Sequence, residues 1–145
     1  MTLIDTHAHI YHDDYSNRMD DIIQSANDNG VEKIISIGVD LKSSEECITL
    51  ADKYEAVYAT CGIHPHEADK ADKRYLYLLE EFYSHPKVVA VGEIGLDYYY
   101  DFSERKTQRK IYQEQLEMAK SLNLPAVIHC RDSDDDVMSG ILESR

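Results

Sequence analysis

Short apolar runs alternate with segments of helical period along the whole chain, and that alternation predicts repeated strand and helix units. The strand candidates are Leu3 to Thr6, Lys33 to Ile37, Val57 to Cys61, Val88 to Gly92 and Ala126 to His129. Several are continuous rather than alternating, as expected of parallel strands covered on both faces. Between them Met19, Ile22, Ile23 and Ala26 fall at i, i+3, i+4 and i+7, as do Cys47, Leu50, Ala51 and Tyr54, and again Tyr75, Leu78, Leu79 and Phe82. Each set makes one apolar helix face. Asn29-Gly30 closes the first helix, and Ser43 with Glu46 three residues later resembles a capping box that opens the second. From Glu104 to Leu122 the residues Tyr112, Leu116 and Ala119 share a face, and Pro125 blocks continuation before the fifth strand. A final helical segment runs from about Asp134 to Leu142.

Five such units predict an α/β domain over residues 1–145, either a doubly wound sheet or about the first five βα units of a TIM-type (β/α) barrel. No glycine-rich phosphate loop opens a helix after the first strand, which weakens a nucleotide-binding doubly wound sheet. No repeat, low-complexity tract or linker marks a second domain.

Composition narrows the class. The 145 residues are 43% apolar and 30% charged, a globular balance. No stretch approaches the roughly 20 apolar residues that span a bilayer, so membrane insertion is not expected. Asp5, His7 and His9 interrupt the N-terminus too early for a signal peptide, which makes a cytoplasmic location the expectation. Cysteines 47, 61 and 130 lack the spacing of a zinc site or disulfide framework and read as reduced, mostly buried residues. The net charge of −13 opposes general binding of polyanions, although bound divalent cations can invert the field locally for a phosphate substrate.

Candidate chemistry gathers at the ends of the strands. His7 and His9 end the first strand, and residues two apart in an extended segment face the same side, so both imidazoles can reach one metal ion. Glu93, flanked by Gly92 and Gly95, follows the fourth strand, where a carboxylate needs a cation or hydrogen bonds to offset desolvation. A metal or a structural ion pair would serve. His129 follows Ala126-Val127-Ile128 as a further neutral ligand candidate. Gly62-Ile63-His64-Pro65-His66 reads either as a phosphate contact or as a proline-stiffened turn. Arg131 suits bidentate phosphate binding or a salt bridge with Asp132 or Asp134. Asp97 is open between orienting a metal ligand and capping a turn. Tyr98, Tyr99 and Tyr100 are open between a stacking surface for a base and a division between core and rim. The acidic run from Asp132 to Asp136 fits a solvated helix N-terminus better than a calcium loop.

Together Ile4-Asp5-Thr6-His7-Ala8-His9, Gly62-Ile63-His64-Pro65, Gly92-Glu93-Ile94-Gly95-Leu96-Asp97-Tyr98 and Ile128-His129-Cys130-Arg131-Asp132 resemble the TatD family of metal-dependent deoxyribonucleases. The resemblance implies a TIM-type barrel of the amidohydrolase superfamily that hydrolyses phosphodiester bonds in DNA. It implies one or two divalent ions (Mg, Mn or Zn), with His7 and His9 on the first, Glu93 bridging and catalytic, and His129 on the second. His64 and Arg131 would be the substrate contacts, with DNA or another phosphoester as substrate. Members of the family also carry a metal-binding histidine after strand six and an aspartate after strand eight, positions with no counterpart among these residues. Two expectations follow. The chain behaves as the N-terminal part of such a hydrolase, binding metal more weakly than a full barrel and showing little nuclease activity. Its open barrel edges call for a complementary chain or self-association. The competing expectation is a catalytically incomplete metal-binding or interaction protein derived from the same barrel.

Overall fold

In a computed structural model, which describes residues 2–144, the expected alternation is present throughout. Met1 and Arg145, the ends of the expected 1–145 domain, lie outside the described residues. The strands are β1 (Leu3–Ala8), β2 (Val31–Ile37), β3 (Val57–Cys61), β4 (Val88–Asp97) and β5 (Ala126–Arg131). The helices are α1 (Met19–Asp28), α2 (Leu41–Lys53), α3 (Tyr75–Tyr83), α4 (Arg105–Leu122) and α5 (Asp134–Glu143), with 3-10 turns at Asp13–Arg18 and Pro65–Lys70.

All neighbouring strands pair in parallel in the order β1-β2-β3-β4-β5. A doubly wound sheet reverses its strand order at a switch point. This sheet never does. Right-handed crossovers that always advance in one direction return each helix to the same face, which curls the sheet into a half-barrel. Among the described residues β1 pairs only with β2 and β5 only with β4, leaving Leu3 and Ile4 45% and 53% exposed.

The core lies between sheet and helices. Cys47 and Ala51 of α2 and Leu79 of α3 pack on Val57, Ala59, Cys61 and Val88, while Tyr112, Leu116 and Ala119 of α4 and Val137 of α5 cover Val91, Ile94 and Leu96. Two boundaries depart from the sequence expectation. Helix α2 begins at Leu41 and is capped by Asp40, whose carboxylate accepts from the Ser43 amide while Ser43 Oγ accepts from the Asp40 amide. Ser43 is therefore the inner partner of the capping box. Strand β4 continues past Gly92 to Asp97, because the glycines that interrupt its apolar run serve close strand approach. A Cβ on Gly95, whose φ is 141°, would stand 1.9 Å from the His129 carbonyl oxygen. The first helix ends at Asn29-Gly30 as expected, with Gly30 at φ 85°. Cys47 and Cys61 are buried and Cys130 is exposed; all three are free thiols. No helix among the described residues is long and apolar enough to cross a membrane.

Candidate metal centre

Strands β1, β4 and β5 bring His7, His9, Glu93 and His129 to one end of the sheet. His7 is the penultimate residue of β1 and His9 follows the strand, their rings 5.2 Å apart. Their Nε2 atoms stand 3.5 and 3.9 Å from Glu93 Oε2. On the other side of the same carboxylate, Oε1 is 3.4 Å from His129 Nδ1. Glu93 is 8% exposed, and its amide donates to the Gly38 carbonyl at 2.8 Å, which fixes where β4 presents the side chain.

Hydrogen bonds on the far ring atoms set the lone pairs. His9 Nδ1 lies 3.2 Å from the Ile37 carbonyl, which can only accept; the proton therefore sits on Nδ1 and Nε2 turns a lone pair toward Glu93. His129 Nε2 lies 3.0 Å from Asp97 Oδ2, so Nδ1 is the atom left to coordinate. His66 Nε2 shares Asp97 Oδ2 at 2.8 Å. Asp97 Oδ1 accepts from the Tyr99 and Tyr100 amides at 3.0 and 2.9 Å. The aspartate thus fills both roles left open by the sequence, orienting a ligand and capping the turn.

Charge follows from these contacts. Burial alone would raise the Asp97 carboxyl, but the Tyr100 amide and the His66 and His129 rings outweigh it and hold the group down to about 2. Glu93 is also lowered: desolvation pushes it up, and the His129 hydrogen bond with the positive potential of His64 and His7 overcomes that push. His129 is raised, chiefly by its hydrogen bond to Glu93. Burial lowers His9 and takes His64 down to about 4.

Three overlapping groups, His7/His9/Glu93, His64/Glu93/His129 and His66/Asp97/His129, each bring their ligand atoms within 4.8 Å of one another. Imidazole nitrogens gathered on both sides of a buried carboxylate, those of His9 and His129 oriented by their far-side hydrogen bonds, fit a divalent cation, whose charge would offset the desolvation of Glu93. His64 is only 8% exposed and packs 4.4 Å from the His129 ring, which puts it among the candidate ligands and away from the rim. Arg131 stays exposed. Its guanidinium stands over the Tyr99 and Tyr100 rings at 4.2 and 4.6 Å instead of pairing with Asp132 or Asp134. The acidic run meets its expectation in part: Asp134, Asp135 and Asp136 form the first turn of α5, with Asp136 also bound to Arg109 and Tyr98. The assembled cleft of about 450 Å³ is lined by His7, His9, His64, Glu93, His129 and Arg131 among others.

Two positioning residues escaped the sequence reading. Gln115 of α4 accepts from the Ile63 amide at 2.7 Å and donates to its carbonyl at 3.1 Å, locking the backbone next to His64. Two turns earlier on the same helix, Gln108 accepts from the Asp97 amide at 2.9 Å and donates to the Asp97 and Ser103 carbonyls at 3.1 and 2.8 Å. Both amides are buried, 0% and 1% exposed, on the apolar face with Ile111, Tyr112, Leu116 and Ala119. Two glutamines spaced seven apart on that face were the available signal.

The family described as "TatD related DNase" matches residues 4–145. The chain is 36% identical over 141 residues to the uncharacterized metal-dependent hydrolase YabD of Bacillus subtilis, covering 97% of this chain and 55% of that protein. It is 34% identical over 120 residues to the 3'-5' ssDNA/RNA exonuclease TatD of Escherichia coli, covering 83% and 46% respectively. Among solved structures, the TatD homolog YjjV of Escherichia coli superposes with a TM-score of 0.92 at 33% identity over 98% of this chain and 56% of that one. A hydrolase TatD family protein of Entamoeba histolytica gives 0.90 at 29% identity, over 99% and 55%. The chain spans about half the length of the curated relatives it matches.

Proposed function

Because the chain belongs to the TatD-related DNase family, we propose that its cleft is the metal site of a hydrolase that cleaves phosphodiester bonds at the ends of single-stranded DNA or RNA. The observation that carries this reading is the division of Glu93: one carboxylate oxygen faces His7 and His9 and the other faces His129. A carboxylate shared in this way is the arrangement that holds two cations side by side.

In this reading His7, His9 and Glu93 would hold one divalent ion, and Glu93 with His129 would hold the second. His64 stands in reserve beside them. When bound, Mg, Mn or Zn would supply Lewis-acid charge to a phosphate and lower the pKa of a water. The remaining work falls to the chain itself. Asp97 keeps the proton of His129 on Nε2, so that Nδ1 stays available. His9 is held in the matching state by the Ile37 carbonyl. Arg131, exposed at the mouth, offers its N–H edge to a phosphate, and the His64 side chain excludes water from the floor. The DNA or RNA substrate rests on the relative named as a 3'-5' ssDNA/RNA exonuclease.

Calorimetric titration with Mn²⁺ or Zn²⁺, paired with an exonuclease assay on a single-stranded oligonucleotide, tests the reading on the chain and on Glu93→Gln. The chain is expected to bind the ion, and whatever cleavage it gives should require metal and vanish in the variant. Absence of metal binding, or cleavage untouched by Glu93→Gln, would overturn it. Metal binding that depends on Glu93 without any cleavage would favour the non-catalytic metal-binding reading.

A further inference from the structure

Immediately after β4 the chain exposes three large aromatic rings on one loop: Tyr99 at 59%, Tyr100 at 46% and Phe102 at 65%. Their neighbour Tyr98 is used differently. Its hydroxyl donates to Asp136 and its ring lies 4.4 Å from the Arg105 guanidinium, so it belongs to the packing of α4 and α5. The other three contact one another, His66 and Arg131 and still stay largely exposed, and exposed apolar surface held in a fixed shape marks a contact site.

The shape is fixed from both sides. Asp97 accepts the Tyr99 and Tyr100 amides, and Arg105 closes the loop through three hydrogen bonds to Asp101 at 2.8 to 3.1 Å. Tyr100 and Phe102 lie nearly parallel, 16° between planes and 5.2 Å between centroids. His66 meets both edge-on at 5.7 and 4.8 Å, tying the rings to the Asp97 cluster. The Arg131 guanidinium completes the group, 4.2 and 4.6 Å from the Tyr99 and Tyr100 ring centroids, two rings set at 89° to each other. Tyr100 and Arg131 also line the histidine–carboxylate cleft, which makes this surface continuous with it.

We propose that Tyr100 and Phe102, with Tyr99 and Arg131 beside them, form a stacking platform for unpaired nucleobases at the mouth of the metal cleft. The inference rests on the phosphodiester reading of that cleft and adds what selects single strands. An internal base of a duplex has both faces covered, whereas an unpaired base offers a π face to an aromatic ring whatever the sequence. The guanidinium, held over the tyrosine rings, can turn its N–H groups to the phosphate of the same nucleotide. In a chain of net charge −13 an exposed arginine at this mouth is a local exception that an anion would find.

Fluorescence anisotropy with phosphorothioate-protected, dye-labelled strands in Mn²⁺, at one fixed low salt concentration, provides the test. The probes are a short thymidine single strand, the same strand made abasic, and a duplex of equal length. The chain should bind the thymidine strand most tightly. Tyr100→Ala/Phe102→Ala should weaken that binding by about tenfold or more and leave the abasic strand within about twofold, whereas Phe102→Tyr should behave as the parent. Calorimetric Mn²⁺ binding by each variant verifies that the fold and cleft persist. Equal binding of thymidine and abasic strands, equal binding of duplex, or no effect of the double substitution would overturn the platform and leave the phosphodiester reading standing. Failure of the parent chain to bind any strand while binding Mn²⁺ would overturn the nucleic-acid reading and the platform with it.

Discussion

The two sides of the Glu93 carboxylate are built differently. On the β1 side His7 lies in the strand and His9 just beyond it, with side chains 43% and 36% exposed, and among the described residues one backbone hydrogen bond orients His9. On the β4–β5 side His129 is 22% exposed, hydrogen-bonded to a fully buried aspartate, and backed by Gln108 on the same α4 helix that carries Gln115. The same ligand chemistry is thus preorganised on one side and lightly held on the other. Preorganisation here comes from buried amides behind the ligands, and a metal held as proposed would have to order the β1 side itself.

The largest effect should come from removing what both sides share. Glu93→Gln keeps the shape and deletes the charge, and divalent affinity should fall a hundredfold or more, about 3 kcal/mol, by titration calorimetry. Retained affinity would mean that one side binds without the other. The next effect separates the supports. Gln115→Leu strands the Ile63 amide and carbonyl in a buried site and should cost about 2 kcal/mol of stability in urea unfolding. Gln24→Leu, which removes an exposed bond to Asp28 on α1, should stay within about 0.5 kcal/mol. Equal losses would mean that the buried Gln115 amide supports the cleft no more than a surface hydrogen bond would.

These supports also mark where the sequence is legible. His7, His9, Glu93 and His129 are readable because strand-end placement and ligand-type side chains coincide; the βα repeat predicts parallel strands, and the unreversed order follows only once that strand-end chemistry favours a barrel over a doubly wound sheet. The buried glutamines are hard to read because an uncharged amide in a helix carries no ionisable signature, and their partners are backbone groups 52 and 11 residues away. The Asp97 cluster was legible only as alternatives, since its shared hydrogen bonds depend on how β5 and the 3-10 turn after His64 fold back on it. The length of β4 was hidden because its glycines look like an ending and in fact admit β5.

A smaller effect probes that cluster directly. Asp97→Asn retains an acceptor but loses the charge that fixes the His129 tautomer, so Mn²⁺ affinity should drop about tenfold. His7→Ala in the same background should add its own loss independently, because the β1 ligands do not touch Asp97; a strongly non-additive pair would show that the two sides act as one unit.

The smallest effect concerns protons in the metal-free chain. Burial holds His64 down to about 4, so on acidification the unfolded chain takes up this proton first. Its stabilising contribution is complete above the ordinary histidine value and is lost as pH falls from about 6.5 toward 4, which amounts to about 1 kcal/mol between pH 7 and about 5.5. His129 works in the opposite sense: its raised value makes its contribution complete at low pH and lost as pH rises through that value. His64→Gln should therefore flatten the acid-side decline measured by urea unfolding, and His129→Gln should steepen it. Two neighbouring histidines 4.4 Å apart would then report opposite environments inside one cleft. Slopes that move together would mean that the buried side is solvated as freely as the β1 side, and the contrast between them would go.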